Sequence, residues 1–279
     1  MNAIDVKNVS KTFKDFKLDD VSLLLPEGCV MGLIGENGSG KTTLIKLILN
    51  ALFKESGSIE VLGNPQNDSF STVKEDIGVV FDTISFHSLF NSGDIEKIMS
   101  ALYKNWDSKR YKELLETFKI PLKTQVKDLS KGSKMKLSIA CALSHNPRLL
   151  ILDEPTSGLD PVAREDFLNI LWDFTRDEKH SVLISSHIVS DLEKICDYIT
   201  FLHEGKVILS DEKDEILSSY GIANATEENF KELDRSSYLG YKKSPYGVEV
   251  LINKKKAPAI ETAPASLEEI FIYTVRGEE

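Results

Sequence analysis

A glycine-rich loop between an apolar run and a segment of helical periodicity constrains this chain more than any other feature of its sequence. The apolar run covers residues 29–34, and the loop that follows has the pattern Gly, four residues, Gly-Lys-Thr over residues 35–42. Leucine and isoleucine then recur at helical spacing over residues 44–48. Glycines let successive N–H groups point inward at an anion, and the positive end of the following helix strengthens that field. Strand, loop and helix in this order predict a phosphate-binding loop in an α/β fold.

The loop supplies most of the candidate nucleotide ligands. We expect Lys41 to lie against the β- and γ-phosphates and the Thr42 hydroxyl to bind Mg²⁺. A glycine-rich turn that only caps a helix is the alternative interpretation. The loop residues predicted to contact the nucleotide are Gly35, Asn37, Gly38, Ser39, Gly40, Lys41, Thr42 and Thr43.

A second apolar run, at residues 149–152, ends in two adjacent carboxylates, Asp153 and Glu154. Side chains at neighbouring positions of a strand end can address different targets. We expect Asp153 to hold Mg²⁺, directly or through water, and Glu154 to polarise an attacking water as a general base. Helix capping or solvation is the alternative for such a pair, and it would be favoured if the pair stood alone.

The composition is that of a globular protein and limits the possible partners. The chain has 279 residues, 41% of them hydrophobic, and 34 basic against 44 acidic residues give a formal net charge of −10. This acidic total argues against a surface that neutralises many phosphates along nucleic acid, whereas nucleotides stay possible ligands. The three cysteines lie beside apolar neighbours and indicate buried thiols, without a zinc-binding pattern. No signal segment opens the chain and no apolar run could cross a bilayer, so we expect a cytosolic protein.

The pattern along the chain divides it into three parts. Near-continuous apolar runs at residues 149–152 and 182–184 are typical of strands that are covered on both faces of a sheet, which indicates an α/β architecture. Charged helical periodicity from about residue 85 to residue 143 predicts a helical insert. Beyond residue 210 the composition becomes charged and ends in an amphipathic stretch at residues 267–275, which we interpret as a small α+β appendage.

Three further patterns complete a known set of motifs: Leu-Ser-Lys-Gly-Ser at residues 129–133, Ser-Gly-Leu-Asp at residues 157–160, and a histidine after an apolar strand, His187. With them, roughly the first 210 residues resemble the ATP-binding cassette (ABC) family, specifically the nucleotide-binding subunit of an ABC transporter. In that family's terms the chain carries the Walker A loop (35–43), the signature motif (129–133), the Walker B strand (149–154), the D-loop (157–160) and the switch histidine (187).

The resemblance implies a fold and a domain organisation. The fold is α/β, a P-loop NTPase core of the ABC type with an N-terminal antiparallel β subdomain. The ATPase domain is expected at residues 1–210, with a helical subdomain that carries the signature motif at about 85–145. A small α+β C-terminal appendage is expected at 211–279.

The resemblance also implies a head-to-tail dimer with ATP between one subunit's Walker loops and the partner's signature motif. Ser130 and the backbone N–H of Gly132 would complete the γ-phosphate cage of the other chain, and His187 would hydrogen-bond the γ-phosphate. Phe13 is the best candidate to stack on adenine and Phe16 is second, although both could be core residues. The chain is then an ATPase that binds ATP and Mg²⁺.

Two motifs depart from the family's usual pattern, the signature motif and the Q-loop. The signature motif usually reads Leu-Ser-Gly-Gly-Gln, whereas Lys131 and Ser133 occupy its third and fifth places here. The Q-loop glutamine should follow the apolar run at 77–80, and Asp82 matches that place. A carboxylate there could still bind Mg²⁺ or its water.

Together these features predict an ATPase subunit that powers a separate transmembrane permease subunit, as a homodimer or heterodimer at the inner face of the cell membrane. Three features resemble the ATPase subunits of bacterial ABC-2-type exporters of drugs, peptides or lipids: the lysine at the third place of the signature motif, the single cassette, and the ending at residues 267–271 with 273–277. Residues 83–90 are where the family docks its permease, although their aromatics could instead pack within the helical insert. A soluble ABC ATPase that acts on nucleic acid or ribosomes is the alternative, and a nucleotide-binding module without turnover is a third; we expect no nucleic acid partner.

Overall fold

Strands and helices alternate through the computed structural model, which describes residues 1–67, 70–83, 86–245 and 247–276. Its strands are β1 (Asn2–Thr12), β2 (Lys17–Pro26), β3 (Val30–Ile34), β4 (Ser56–Val61), β5 (Asn64–Pro65), β6 (Ile77–Val80), β7 (Leu149–Asp153), β8 (Ser181–Ser186), β9 (Tyr198–His203), β10 (Lys206–Glu212), β11 (Tyr220–Ala225), β12 (Tyr238–Ser244), β13 (Gly247–Asn253) and β14 (Ala263–Pro264). Its α-helices are α1 (Lys41–Ile48), α2 (Phe70–Val73), α3 (Ser92–Leu102), α4 (Ser108–Thr117), α5 (Lys131–Leu143), α6 (Pro161–Phe174), α7 (Val189–Ile195), α8 (Lys213–Ser219), α9 (Glu227–Glu232) and α10 (Leu267–Arg276).

The central sheet has the strand order β10-β9-β3-β8-β7-β6. Strands β9, β3, β8, β7 and β6 run parallel, and β10 pairs antiparallel with β9 at one edge. Every residue of β3, β7 and β8 is buried, as expected for parallel strands that are covered on both faces. The α/β fold expected from the apolar runs is therefore confirmed.

Successive side chains along these strands belong to two separate hydrophobic cores, one on each face of the sheet. On β3, Val30 and Ile34 join a core made with helices α5, α6 and α7, whereas Met31 and Leu33 face a second core with β1, β2 and α1. Because successive side chains of a strand point to opposite faces, one short apolar strand contributes to both cores. This arrangement fixes the carboxyl ends of the strands, where the candidate site lies.

An antiparallel sheet packs over the side of the central sheet that carries α1. Its strand order is β2-β1-β4-β5, and its inward residues share the core that contains Leu44 and Ile48 of α1. This is the N-terminal antiparallel β layer that the family resemblance implies. It brings the turn between β1 and β2 beside the glycine-rich loop.

Helices α3, α4 and α5 occupy the segment of charged helical periodicity. Asn91 begins α3 with a capping box that includes Asp94, and the side chain of Asp107 caps α4. The hydroxyl of the buried Tyr111 on α4 donates a hydrogen bond to the carbonyl of Ser92 at 3.1 Å, which joins α4 to α3. Residue 85, where the periodicity begins, lies outside the described residues.

The C-terminal elements form a third sheet, β12-β13-β11-β14, which α10 joins to the rest of the molecule. Leu267 and Ile270 of α10 belong to the same core as Phe201 of β9, and the rings of Phe271 and Phe201 meet edge-on at 5.2 Å. Strand β10 continues past residue 210 to Glu212, so the C-terminal elements begin with α8 rather than at the position where the composition changes.

The three cysteines are free thiols. Cys141 and Cys196 are buried and Cys29 is partly buried, as their apolar neighbours predict. Burial raises the pKa of Cys141 to about 12, so this thiol stays protonated at neutral pH. Among the described residues no helix combines the length and the apolar character that a membrane span requires.

Candidate nucleotide-binding site

The glycine-rich loop lies between the end of β3 and the start of α1, and close packing requires glycine at two of its positions, Gly35 and Gly40. Gly40 is the N-cap of α1 at φ +109°, in the left-handed region that favours glycine. A Cβ atom on Gly40 would lie 2.7 Å from Cζ of Phe16, and one on Gly35 would collide with the carbonyl of Leu202. The loop is thus pressed against its surroundings on two sides.

A cavity of about 530 Å³ opens over this loop, within the size range of small-molecule sites. It collects residues from the turn after β1, the loop, the segment after β6 and the end of β7. The residues that line it are Asp15, Phe16, Glu36, Asn37, Gly38, Gly40, Lys41, Thr42, Thr43, Asp82, Asp153 and Glu154. Beneath the loop, the buried hydroxyl of Ser39 has no hydrogen-bond partner among the described residues.

Lys41 is a buried cation that its own loop holds at the base of the cavity. Its Nζ donates to the carbonyl of Gly35 at 2.7 Å and to the carbonyl of Glu36 at 3.3 Å. The same Nζ lies 3.3 Å from Oε1 of Glu154. A buried ammonium in this position favours an anion in the cavity, because attraction between charges is stronger away from bulk water.

Asp153 is a buried carboxylate that accepts a hydroxyl donor on each oxygen. Thr42 donates to its Oδ2 and Ser185 donates to its Oδ1, both at 2.6 Å. Parallel pairing of β7 with β8 sets Asp153 beside Ser185, and the start of α1 supplies Thr42. One carboxylate and one hydroxyl therefore stand together at the edge of the cavity, as hard oxygen donors do in Mg²⁺ sites.

Glu154 stands between the lysine and the histidine. Its Oε2 lies 2.6 Å from Nδ1 of His187, while its Oε1 faces Lys41. The backbone of Glu154 is left-handed at φ +52°, and its N–H donates to both the carbonyl and the Oγ of Ser185. A non-glycine residue in this region is held there by its surroundings, a feature that is common at functional sites.

The predicted site residues fall into two groups in a single chain. Most of the loop, Asp82, Asp153 and Glu154 meet in the cavity, and His187 contacts Glu154 from outside the lining. The other predicted residues outside the cavity lining are Gly35 and Ser39 of the loop, Phe13, which is 40% exposed, and Ser130 and Gly132 near the start of α5. In place of Phe13, the cavity is lined by Phe16, whose ring centroid lies 6.3 Å from that of Phe13.

Ser130 and Asp160 both cap helices beside the site. The Oγ of Ser130 accepts from the N–H of Ser133 and begins α5. Asp160, the last residue of the D-loop motif, accepts from the N–H groups of Val162 and Ala163 and begins α6. These backbone donors hold the pKa of Asp160 below its usual value, so it stays ionised.

Ser185 has a role that the sequence reasoning missed. It ends the apolar run of β8, and its hydroxyl joins Asp153 to the backbone of Glu154. A polar residue at the end of an otherwise apolar strand was the available signal. Its target depended on the pairing of β8 with β7, which the sequence does not display.

Comparison with known proteins gives consistent matches. The ABC transporter family model matches residues 18–157. The chain is similar to the ABC transporter ATP-binding protein YtrB of Bacillus subtilis (strain 168), with 30% identity over 99% of each chain. It is 35% identical to the lantibiotic transport ATP-binding protein SrtF of Streptococcus pyogenes, over 76% of this chain and 91% of that one.

A solved structure of an ATP binding subunit of an ABC transporter has a TM-score of 0.69 and 28% identity to this chain, covering 77% of this chain and 92% of the other. Both the sequence and the fold therefore match the same kind of protein. In this structure most of the phosphate loop lines one cavity with the two carboxylates, and the histidine contacts Glu154. The chain belongs to the ABC transporter family, as an ATP-binding and ATP-hydrolysing subunit.

Proposed function

We propose that two copies of this chain, or this chain and a related one, close on ATP and use its hydrolysis to drive an exporter. The observation that carries this proposal is the division of the predicted site. Lys41, Asp153 and Glu154 meet at one cavity, whereas Ser130 and Gly132 lie near the exposed start of α5, outside that cavity. A complete cage around the terminal phosphate then requires a second chain.

The oxygen donors at the cavity fit Mg²⁺. Thr42 and Asp153 would hold it, and the described residues contain no cluster of three or more histidine, cysteine or acidic side chains that would bind a metal without the nucleotide. Mg²⁺ usually takes one or two carboxylates and fills its other positions with phosphate oxygens and water. When bound, it would neutralise charge on the phosphates.

The side chains around Glu154 suit phosphoryl transfer to water. Glu154 accepts the proton of the attacking water, because its carboxylate lines the cavity and is held there between Lys41 and His187. Lys41 stabilises charge on the β- and γ-phosphates. His187 contacts Oε2 of Glu154 through its Nδ1 and would orient the base and hydrogen-bond the γ-phosphate.

The second copy would supply Ser130 and Gly132 to the terminal phosphate. Both lie in the first turn of α5 or at its cap, where the free N–H groups and the positive end of the helix favour an anion. Adenine would stack on Phe16, which lines the cavity, or on Phe13, whose ring centroid lies 6.3 Å from that of Phe16.

The permease would dock beside the helical segment, and the chain would then lie at the inner face of the membrane. Of residues 83–90, residues 84 and 85 lie outside the described residues. Phe86 and Phe90 pack against the core, whereas Leu89 is 53% exposed. An exposed leucine whose aromatic neighbours are held by the core could bind the apolar face of a helix from another protein. Because SrtF is named for lantibiotic transport, we propose export of an amphiphilic peptide or a similar compound.

Glu154→Gln tests the proposal. The amide keeps the size of the side chain but accepts no proton, so we expect ATP to bind, the dimer to persist and turnover to fall by at least about 10²-fold. Sedimentation with ATP and a phosphate-release assay measure both effects. Glu165→Gln, at an exposed position of α6, is the matched control and should behave as the wild type. Wild-type turnover in Glu154→Gln would remove Glu154 from the reaction.

A further inference from the structure

An ion pair joins the nucleotide cavity to the signature segment of the same chain. Oδ1 of Asp82 lies 3.3 Å from Nζ of Lys131. Asp82 lines the cavity after β6, and Lys131 is the first residue of α5, between Ser130 and Gly132. Two of the three residues that depart from the family's usual pattern, Asp82 and Lys131, therefore contact each other.

Two further contacts fix the position of the Lys131 side chain. Its Nζ donates to Oγ of Ser157 at 3.2 Å. Its stem crosses Gly158, where an added Cβ atom would lie 2.9 Å from Cδ of Lys131. Gly158 is left-handed at φ +82°, so the loop after β7 bends beneath the lysine. Because three neighbours define its position, Lys131 differs from a lone lysine on the surface.

The start of α5 carries positive charge and has no acidic residue in its own first turn. A cation at a helix N-terminus is disfavoured by the helix dipole. Lys131 and Lys134 both add positive charge near this end. Asp82 supplies the opposite charge across the gap between β6 and α5.

We propose that Asp82 and Lys131 are a coupled pair of positioning residues. Asp82 fixes Lys131 and thereby holds the start of α5, so that Ser130 and Gly132 are in place for the nucleotide of the second copy. This inference rests on the proposed function, because it assumes that the signature segment serves another chain. Through Asp82, the pair also links the cavity of one chain to the segment that it presents to its partner.

A mutant cycle tests the coupling without nucleotide. The variants are Asp82→Asn, Lys131→Met and the double variant, and the readout is hydrogen exchange at the amides of Ser133 and Lys134, which bond to Ser130. We expect each single variant to exchange about two- to fivefold faster, the scale of one exposed ion pair, and the double variant to exchange no faster than either single. Unchanged exchange in the single variants, or effects that multiply in the double variant, would overturn the proposal.

The chain offers a matched control in the ion pair between Lys112 of α4 and Glu96 of α3, at 3.6 Å. It also joins two elements of the helical segment, but it lies away from the cavity lining. Lys112→Met should leave exchange at Ser133 and Lys134 unchanged. A faster exchange at those amides in this control would mean that the segment loosens for general reasons.

A functional measurement separates positioning from simple loss of structure. Lys131 does not line its own cavity, so Lys131→Met should leave the ATP affinity of the single chain within about twofold while kcat falls. Lys131→Arg keeps the charge and should restore both exchange and kcat. Wild-type kcat in Lys131→Met would contradict the proposal. If ATP causes no pairing of wild-type chains, the proposed function fails, and the exchange result still decides whether the pair is coupled.

Discussion

Single residues decide how the two carboxylates of this site are held. Asp153 receives one hydroxyl on each oxygen, and Glu154 lies between Lys41 and His187. Ser185 is buried and helps to position both carboxylate residues. Its hydroxyl donates to Asp153 and accepts from the backbone N–H of Glu154. The precision of the site therefore depends on a side chain that does not line the cavity.

Ser185→Ala should lower kcat/KM for ATP by about 10- to 100-fold, because the buried Asp153 loses a donor and Glu154 loses an acceptor for its N–H. Stability should fall by about 1–3 kcal/mol for the same reason. Steady-state kinetics and urea unfolding measure the two effects.

Ser181→Ala is the matched control for this variant. Ser181 is a buried serine at the other end of β8, and its hydroxyl accepts from the N–H of Gly28 at 2.9 Å. Its loss should cost similar stability but leave turnover unchanged. Equal loss of turnover in the two variants would show that Ser185 acts only through the stability of β8.

His145 gives a pH dependence that arises away from the site. Its ring is 1% exposed, stacks on Tyr103 with 4.0 Å between centroids, and lies 3.2 Å from the carbonyl of Ile77. Burial lowers the pKa of His145 below the ordinary value of 6.5, although the carbonyls of Ile77 and Cys141 and the charge of Asp76 oppose this shift. Below pH 6.5 the unfolded chain therefore binds more protons than the folded one, and stability falls as the pH falls.

His145→Phe keeps the stacking but removes the titration. We expect the loss of stability below pH 6.5 to become shallower, by up to about 1.4 kcal/mol per pH unit. Urea unfolding at a series of pH values measures this slope. Identical slopes in the variant and the wild type would contradict the assignment.

At the scale of elements, the loop between β3 and α1 shows how backbone geometry builds the site. Gly40 and Gly38 are both left-handed, at φ +109° and +85°, but they differ in their surroundings. Gly40 is pressed against Phe16 and Leu18, whereas an added Cβ atom on Gly38 would meet nothing within 4 Å. Substitution of Gly38 therefore measures the destabilisation caused by a left-handed backbone alone. Substitution of Gly40 measures that destabilisation together with the effect of a steric clash.

Gly40→Ala should destabilise the fold by about 2–4 kcal/mol, because it adds a collision with Phe16 to the cost of a left-handed alanine. Gly38→Ala should cost only about 1 kcal/mol, since it adds no collision. Urea unfolding of both variants is the measurement. Equal losses would mean that Phe16 yields freely and does not press on the loop.

The sequence alone was sufficient to predict the buried strands and the phosphate-binding loop, because their burial or function determines which residue types they contain. Apolar residues follow one another without alternation in β3, in β7 and in the middle of β8, because both faces of the sheet are covered. Phosphate binding fixes the spacing of the loop. The contact of Lys131 with Asp82 and that of Ser185 with Asp153 could not be predicted in this way. Each depends on how elements distant in sequence approach each other.

The residue at which the C-terminal elements begin could also not be predicted from the sequence pattern. Charge increases after residue 210, yet β10 continues to Glu212 because its pairing with β9 decides where the strand ends. The amphipathic stretch of α10 was predicted, whereas its packing on Phe201 of the central sheet was not. The residue types of a helix indicate which of its faces is buried. They do not indicate against which part of the molecule that face packs.

At the scale of the whole molecule, the proposed function requires a site that two chains share. Each chain carries most of the loop, Asp153 and Glu154 at its own cavity, and presents Ser130 and Gly132 at the start of α5, outside that cavity. A change on either side should therefore damage a different half of the site. Two damaged chains could then complement each other.

The direct test mixes a Lys41→Ala chain with a Ser130→Asp chain. Aspartate still caps α5 but places a negative charge toward the phosphate, and Ser130→Asn is its neutral control. Each damaged chain alone should be inactive. An equal mixture should recover up to roughly a quarter of wild-type ATP turnover, because half of the pairs are mixed and each holds one intact site. A mixture as inactive as its components, with both chains folded and able to pair, would contradict the shared site.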